Sequence, residues 1–134
     1  LELRSEGSAE ALAGLAERYR DTRQQRPVFD FALHWLADNL PRESDRVLLH
    51  GDFRTGNLVI GPDGLRAMLD WELAHIGPPA ADLAWLCVPS WRFQHPELPV
   101  GGFGTRAELL AGYASAGGRR IEPAELFAWE VFQV

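Results

Sequence analysis

The chain has 134 residues, of which 46% are apolar, and its formal net charge is −6 with acidic and basic residues interspersed. This composition is typical of a globular protein with one modest core, and the absence of a basic run argues against nucleic acid or an anionic membrane as partner. Cys87 is the sole cysteine, so a disulfide framework and a cysteine-based zinc site are excluded. Neither a signal peptide nor a membrane-length apolar run is present, which predicts a cytoplasmic protein.

Two helices are predicted in the first third of the chain. Ser8 suits the cap of the first helix, in which apolar residues recur at helical spacing. Pro27 suits the first turn of the second helix, which Pro41 ends, and the apolar residues on all its sides predict burial on more than one side. Residues 1–7 carry no pattern and are expected to form a frayed end.

The next stretch predicts a strand, a loop and a hairpin. Val47 to Leu49 is a short apolar run suited to a buried strand, so His50-Gly51-Asp52 falls where that strand ends. Gly51 permits a tight or left-handed backbone at this point. Asp63-Gly64 lies between two apolar runs, which is a strong hairpin signal.

The hairpin register predicts a pair of polar side chains. If Asp63 and Gly64 are the turn residues, Asn57 lies opposite Asp70, and the other face of the ribbon is an apolar core face. Opposed residues have Cβ atoms about 5 Å apart. An amide oxygen beside a carboxylate is a hard-oxygen pair that suits Mg²⁺, and Asp52 supplies a second carboxylate nearby.

The remainder of the chain is predicted to be helical. Residues 80–88 form a short, nearly all-apolar helix, and residues 89–104 form a long ordered loop that is either functional or a plain connector. Thr105 and Glu108 have the spacing of a capping box, and a last helix begins near Pro123. Two helices, a small β unit and three helices make an α+β arrangement.

These residues form a pattern that resembles a known family. His50-Gly51-Asp52, four residues, Asn57, and then a hairpin leading to Asp70-Trp71-Glu72 resemble the aminoglycoside phosphotransferase and choline kinase-like family. The catalytic loop of protein kinases has the same Asp-to-Asn spacing. The segments 69–74 and 81–85 most resemble the kinase-like domains found beside, or fused to, acyl-CoA dehydrogenases. The resemblance covers residues 45–88 and implies a protein-kinase-like fold that phosphorylates a small-molecule hydroxyl with ATP and Mg²⁺.

The resemblance also implies residue roles. Asp52 accepts or orients the proton of the attacking hydroxyl, and Asn57 and Asp70 hold Mg²⁺ against the nucleotide phosphates. Arg54 either stabilises charge on the transferring phosphoryl group or is an exposed loop arginine. For Asp52 the structural alternative is a loop aspartate bonded to its own backbone.

Two further residues are expected to support the loop. His50 is assigned hydrogen bonds and packing within it. Asp82 is a carboxylate in an apolar helix, and the resemblance implies that it braces the loop backbone; an Asp favoured by the helix dipole is a compatible interpretation. Glu72 is either a further acidic group at the metal or a surface residue. No role is assigned to three other histidines, His34, His75 and His95.

Elements that hold the nucleotide in the resembled enzymes are not found in this sequence. There is no strand–glycine loop–strand, no lysine on a following strand and no partner glutamate. The first residue is Leu, and the last stretch is a helical pattern without a cap. Residues 1–134 are therefore predicted to be the C-terminal lobe of a longer kinase-like chain, inactive without its N-terminal lobe.

Two other functions stay open on sequence grounds. A non-catalytic kinase-like binding module is the main alternative, although it has no need for Asp52, Asn57 and Asp70 together. A metal-dependent phosphoesterase needs more clustered His and Asp ligands than the chain offers. The acceptor cannot be read from the sequence: relatives handle aminoglycosides, choline-type alcohols, sugars and hydroxyacyl thioesters.

Overall fold

The computed structural model describes residues 3–42 and 45–134. It begins with helices α1 (Ser8–Asp21) and α2 (Pro27–Asn39), as predicted. The cap of α1 is Gly7, whose N–H donates to Glu10 Oε2 at 2.9 Å, so the predicted cap at Ser8 is wrong by one residue. Glu10 satisfies a free amide at the helix start in the way a capping-box glutamate does.

Helix α2 is buried on one side only, which corrects the prediction of burial on several sides. Leu36 is 1% exposed and lies in the core, whereas Phe31 is 71% exposed and Phe29 is also exposed. Apolar residues on every side of α2 therefore do not show that other parts of the chain cover every side.

The strand before the loop is part of a two-stranded antiparallel sheet. Strand β1 (Val47–Leu49) pairs with β4 (His75–Gly77), a strand that the sequence did not predict. Only Leu49 of β1 is buried. The chain before α1 is held against β4, because Glu6 N–H donates to Ile76 O at 2.9 Å and Ile76 N–H donates to Arg4 O at 2.8 Å. The expectation of a frayed end is wrong for these residues, while residues 1 and 2 lie outside the described part.

The predicted hairpin is present with a different turn and register. Strands β2 (Leu58–Gly61) and β3 (Gly64–Met68) are joined by Pro62 and Asp63, and Gly61 pairs with Gly64. A bulge follows, because Ile60 pairs with Leu65 and Val59 with Ala67. The predicted core face is wrong: Ile60 is 66% exposed, and Leu65 and Leu69 are also exposed.

The core is formed mainly by helices α3 (Pro79–Cys87) and α5 (Pro123–Gln133), with side chains from α1 and α2 packed against them. These two helices and α4 (Arg106–Ser115) agree with prediction to within one residue, and α4 carries the predicted capping box of Thr105 and Glu108. Helix α3 packs along α5, and the most deeply buried large side chains are Trp129, Leu36, Leu86 and Leu126. The α+β arrangement is confirmed. Within the described residues, no helix combines the length and apolarity needed to cross a membrane.

Candidate active site

The loop from His50 to Asn57 follows β1 directly and is held by helix α3. Asp82 accepts hydrogen bonds from the backbone N–H groups of His50 at 2.6 Å and Gly51 at 3.0 Å. Gly51 has φ 84°, and a Cβ there would lie 2.4 Å from the Leu73 carbonyl oxygen, so glycine is required. These are the contacts that a brace on the loop backbone would make.

Burial raises the pKa of Asp82 above its usual 3.8, and the two backbone hydrogen bonds lower it only in part. A carboxylate removed from water is costly unless donors surround it. Both oxygens of Asp82 have such a donor, which is consistent with a structural rather than a catalytic part for this residue.

His50 links the loop to the end of the hairpin. Its side chain is buried, its Nδ1 accepts from the Asp52 backbone N–H at 3.2 Å, and its Nε2 lies 2.8 Å from Leu69 O. Because Nδ1 accepts, Nε2 carries the proton and donates to Leu69. The neutral imidazole thus connects residue 52 with the residue before Asp70, and the ring lies 4.6 Å from that of Trp71.

The carboxylate of Asp52 is surrounded by donors. Trp85 Nε1 donates to Oδ1 at 2.8 Å, Asn57 Nδ2 donates to Oδ2 at 2.8 Å, and Arg54 Nε reaches both oxygens at 3.2 and 2.9 Å. Two carboxylate oxygens accept about four hydrogen bonds in total. Three N–H groups donate here, and the single proton of Arg54 Nε is shared between the two oxygens, so a hydroxyl group at this carboxylate competes with Arg54.

Burial by itself raises the pKa of Asp52, but hydrogen bonds from Trp85, Asn57 and Arg54 and the positive charge of Arg54 outweigh it. The pKa therefore lies below the usual value of 3.8. At neutral pH the group is ionised and weakly basic, which suits it to orienting a hydroxyl group more than to removing its proton early.

Arg54 is not a freely exposed loop residue. It forms an ion pair with Asp52 at 2.9 Å, and its guanidinium carbon lies 5.0 Å from the centre of the Trp91 ring. A cation over an aromatic face is attracted by the negative face of the ring. The predicted role at a phosphoryl group stays a prediction, because the guanidinium here contacts the carboxylate.

Asn57 is 5% exposed and ends the 3₁₀ turn Thr55–Asn57. Its Nδ2 donates to the backbone oxygen of Asp52 at 2.9 Å as well as to Oδ2. Both protons of the amide nitrogen are thereby used, and the oxygen Oδ1 is the atom left to bind a cation.

Asp70 follows the hairpin but leaves the ladder. Leu69 N–H donates to Asn57 O at 2.9 Å, so Asn57 lies opposite Leu69 and not opposite Asp70. Asp70 itself has φ 68° and ψ 61°, a left-handed conformation that Asp tolerates better than most residues. Strand alternation therefore does not set the direction of its side chain, and the shared metal site with Asn57 stays a prediction.

The other residues considered lie apart from this loop or on the surface. Glu72 is exposed, and the short 3₁₀ turn Trp71–Leu73 contains it. Side chains of His34 and His75 each bond a nearby backbone oxygen, and His95 lies beside Glu97. In the parts of the chain that the structure covers, no three His, Cys, Asp or Glu residues come together as a metal site. A cation bound by Asn57 and Asp70 would complete its shell with oxygens of water or of a bound phosphate.

Sequence reasoning missed the two tryptophans at the site. Trp85 contacts Asp52, and Trp91, in the 3₁₀ turn Pro89–Trp91, lies under Arg54. A signal for Trp85 was available, because residues three apart on a helix share a face and Asp82 was already expected to point at the loop. Thr55 also ties the long loop to the site by donating to Gly101 O at 3.0 Å.

Comparison with known proteins relates this arrangement to a family. The sequence model of the "Phosphotransferase enzyme family" matches residues 2–122. Acyl-CoA dehydrogenase family member 10 of Mus musculus is 42% identical over 64 residues, which is 46% of this chain and 6% of that protein. Acyl-CoA dehydrogenase family member 11 of Gallus gallus is 47% identical over 62 residues, 44% of this chain and 8% of that protein.

A solved structure of macrolide 2'-phosphotransferase type I superposes with a TM-score of 0.66 and 25% sequence identity, covering 97% of this chain and 42% of that chain. The chain thus spans less than half of that structure and under a tenth of the dehydrogenase-family proteins. The predicted kinase-like fold and the resemblance to dehydrogenase-associated domains are both confirmed.

Proposed function

The chain belongs to the phosphotransferase enzyme family, and we propose that the protein carrying it transfers the γ-phosphate of ATP to a hydroxyl group of a small molecule. The observation that carries this proposal is the set of contacts around Asp52. An ionised carboxylate is held in one orientation by donors from the loop and from α3, beside an asparagine whose amide oxygen is left for a cation.

Asp52 orients the acceptor. Phosphoryl transfer passes through a loose transition state, so alignment of the attacking oxygen contributes more than strong basicity. The low pKa of Asp52 agrees with a role in aligning the acceptor hydroxyl rather than in acting as a strong base. The hydroxyl competes with Arg54, whose single Nε–H is shared between both carboxylate oxygens, whereas Trp85 and Asn57 each donate to one oxygen.

Asn57 and Asp70 would hold Mg²⁺ with the phosphate oxygens of the nucleotide. The donor set fits, since an amide oxygen and a carboxylate are hard ligands that Mg²⁺ takes while phosphates complete its shell. When bound, the ion neutralises charge on the phosphates during transfer. His50 holds the loop near Asp70, because its ring bonds the backbone N–H of Asp52 and the carbonyl oxygen of Leu69, the residue before Asp70.

This chain supplies the loop and the helices around it. We propose that residues 1–134 are the C-terminal lobe of the parent protein and that a second lobe supplies the remaining contacts to ATP. The acceptor is a small hydroxyl compound, and the parent protein is cytoplasmic and binds neither nucleic acid nor membrane.

The test is γ-phosphate transfer by the full-length protein. ATP labelled in the γ position is incubated with a panel of hydroxyl compounds: an aminoglycoside, a macrolide, choline, a hexose and a hydroxyacyl-CoA. Slow hydrolysis, with water as acceptor, is followed in parallel. We expect turnover that requires Mg²⁺ and disappears with EDTA. Complete absence of turnover with every acceptor, water included, would overturn the proposal.

A further inference from the structure

The indole N–H of Trp85 lies 2.8 Å from Asp52 Oδ1. The ring cannot turn away easily, because it packs edge-on against Trp91 with 5.3 Å between the ring centres and 67° between the planes. A hydrogen bond to a charged group is stronger than one between neutral groups. The contact therefore fixes one oxygen of the carboxylate from a side chain that is itself fixed.

Helix α3, which carries Trp85, is tightly packed in the core. Ala80, Ala84 and Cys87 of α3 are fully buried, and the helix packs along α5. Asp82 and Trp85 lie three residues apart and so share a face, from which Asp82 holds the loop backbone. One helix thus positions both the backbone of the loop and the side chain at its centre.

The three donors to Asp52 differ in origin. Arg54 and Asn57 belong to the same loop as Asp52, and Asn57 is also the proposed metal ligand. Among the residues that the structure describes, one side chain from outside the loop donates to the Asp52 carboxylate, and it is that of Trp85. This donor ties the carboxylate to the core.

We propose that Trp85 is a positioning residue that fixes the Asp52 carboxylate for the acceptor hydroxyl through its indole N–H. The inference rests on the proposed function. Trp85 acts through Asp52 and does not itself touch the reacting atoms. Without the N–H, one carboxylate oxygen loses its fixed donor, and the carboxylate adopts more than one orientation.

The experiment measures kcat and the KM for ATP of the full-length protein, with Mg²⁺-ATP hydrolysis as the reaction and water as the acceptor. Trp85→Phe removes the N–H and keeps an aromatic ring against Trp91. A second variant replaces the indole with benzothiophene, which exchanges the N–H for sulfur and keeps the ring shape. Rates are expressed per ATP-binding site, so that unfolded protein does not count.

Trp129→Phe is the matched control. Trp129 is buried in the core on α5, and its Nε1 makes no hydrogen bond to any residue that the structure describes. The substitution therefore changes packing without removing a hydrogen bond. We expect both Trp85 variants to lower kcat about tenfold or more with an unchanged KM for ATP, and the control to change kcat less than about threefold.

A double-mutant cycle distinguishes positioning from structural support. If Trp85 acts through Asp52, Trp85→Phe lowers kcat less than about twofold further when Asp52→Asn is already present. A general structural role would give losses that multiply. The inference is overturned if the losses multiply, or if both Trp85 variants keep kcat within about twofold while Asp52→Asn loses it. An inactive wild-type protein is a different outcome, since it overturns the proposed function.

Discussion

Asp82 and His50 lie 32 residues apart and are joined by a hydrogen bond of 2.6 Å from the His50 backbone N–H to the Asp82 carboxylate. The second carboxylate oxygen accepts the next N–H, of Gly51. Two consecutive amides of the loop are thus satisfied by one side chain from a buried helix. The position of Asp52, the next residue, depends on this pair of contacts.

Replacing Asp82 should chiefly cost stability. Asp82→Asn keeps the size of the side chain but puts an NH₂ group where a second acceptor is needed, so one loop amide loses its partner. We expect a loss of about 1–3 kcal/mol in the free energy of unfolding. Thermal melting and urea unfolding of the full-length protein measure it, with Asp38→Asn, at an exposed position on α2, as control. Equal stability of the two variants would show that Asp82 does not stabilise the loop backbone.

The pKa of Asp82 adds a pH dependence with a defined sign. Because burial raises this pKa, the folded state binds the proton more tightly than the unfolded state does. The contribution to stability is fully present below the usual pKa of 3.8 and is lost as the pH rises through the raised value. The stability difference between wild type and Asp82→Asn should therefore be larger at the acidic end. A stability difference between the two proteins that increases with pH would contradict this prediction.

Asp70→Asn should weaken binding of Mg²⁺-ATP as well as kcat. The variant removes a charged ligand, while Asn tolerates the left-handed backbone at this position, so the fold is kept. Asp63→Asn is the matched control, because Asp63 lies in the exposed turn of the same hairpin. Calorimetric titration of Mg²⁺-ATP should show weaker binding for the first variant only. Unchanged binding by both would exclude Asp70 as a metal ligand.

Cys87 should be unreactive in the folded protein. Its side chain is completely buried, and burial, with the nearby charge of Glu130, raises the thiol pKa to about 12. Since the thiolate is the reactive form, iodoacetamide should label the Cys87 peptide at pH 8 only after unfolding. Mass spectrometry of the digested full-length protein, with and without urea, gives the comparison. Rapid labelling without urea would show that α3 opens in the native state.

The isolated 134-residue chain should turn over little or no ATP and bind it weakly. It carries the loop and both proposed metal ligands, but residues 3–42, which precede them, contain no strand pair that could hold the adenine nucleotide. The same assay on the full-length protein is the control, with circular dichroism to show that the isolated chain is folded. Tight ATP binding by the folded chain alone would contradict its interpretation as one lobe.

Sequence signals that span one helical turn correctly predicted where three of the helices begin. The helices that begin at Pro27, Arg106 and Pro123 follow from prolines at the first position and from the Thr105 capping box. Gly7 was missed as a cap because it has no side chain to signal one. The three-residue strand β4 was missed because so short a segment shows no period.

The hairpin was predicted with the wrong turn residues and with a buried face that it lacks. The Asp63-Gly64 pair favoured a two-residue turn there, yet the turn has Pro62 and Asp63 at its centre. The sequence allowed this alternative, because Pro at the second and Gly at the fourth position suit a common turn type. The alternation of apolar residues also could not show whether anything covers them, and both strands are largely exposed.

The proximity of Asp52 and Asn57 was predictable from their spacing, and the two side chains are hydrogen-bonded. The position of the Asp70 side chain relative to them stays a prediction. The engagement of Asp52 by Trp85 and by Arg54 depends on where α3 and the loop after it pack, which is a tertiary property.

The most direct test of the account is kcat for Asp52→Asn in the full-length protein with Mg²⁺-ATP. The variant keeps the size of the side chain and removes the charge that orients the acceptor. We predict a fall in kcat of about 100-fold or more, with ATP affinity little changed. Full activity in this variant would contradict the assignment of Asp52 and would favour a kinase-like binding module instead.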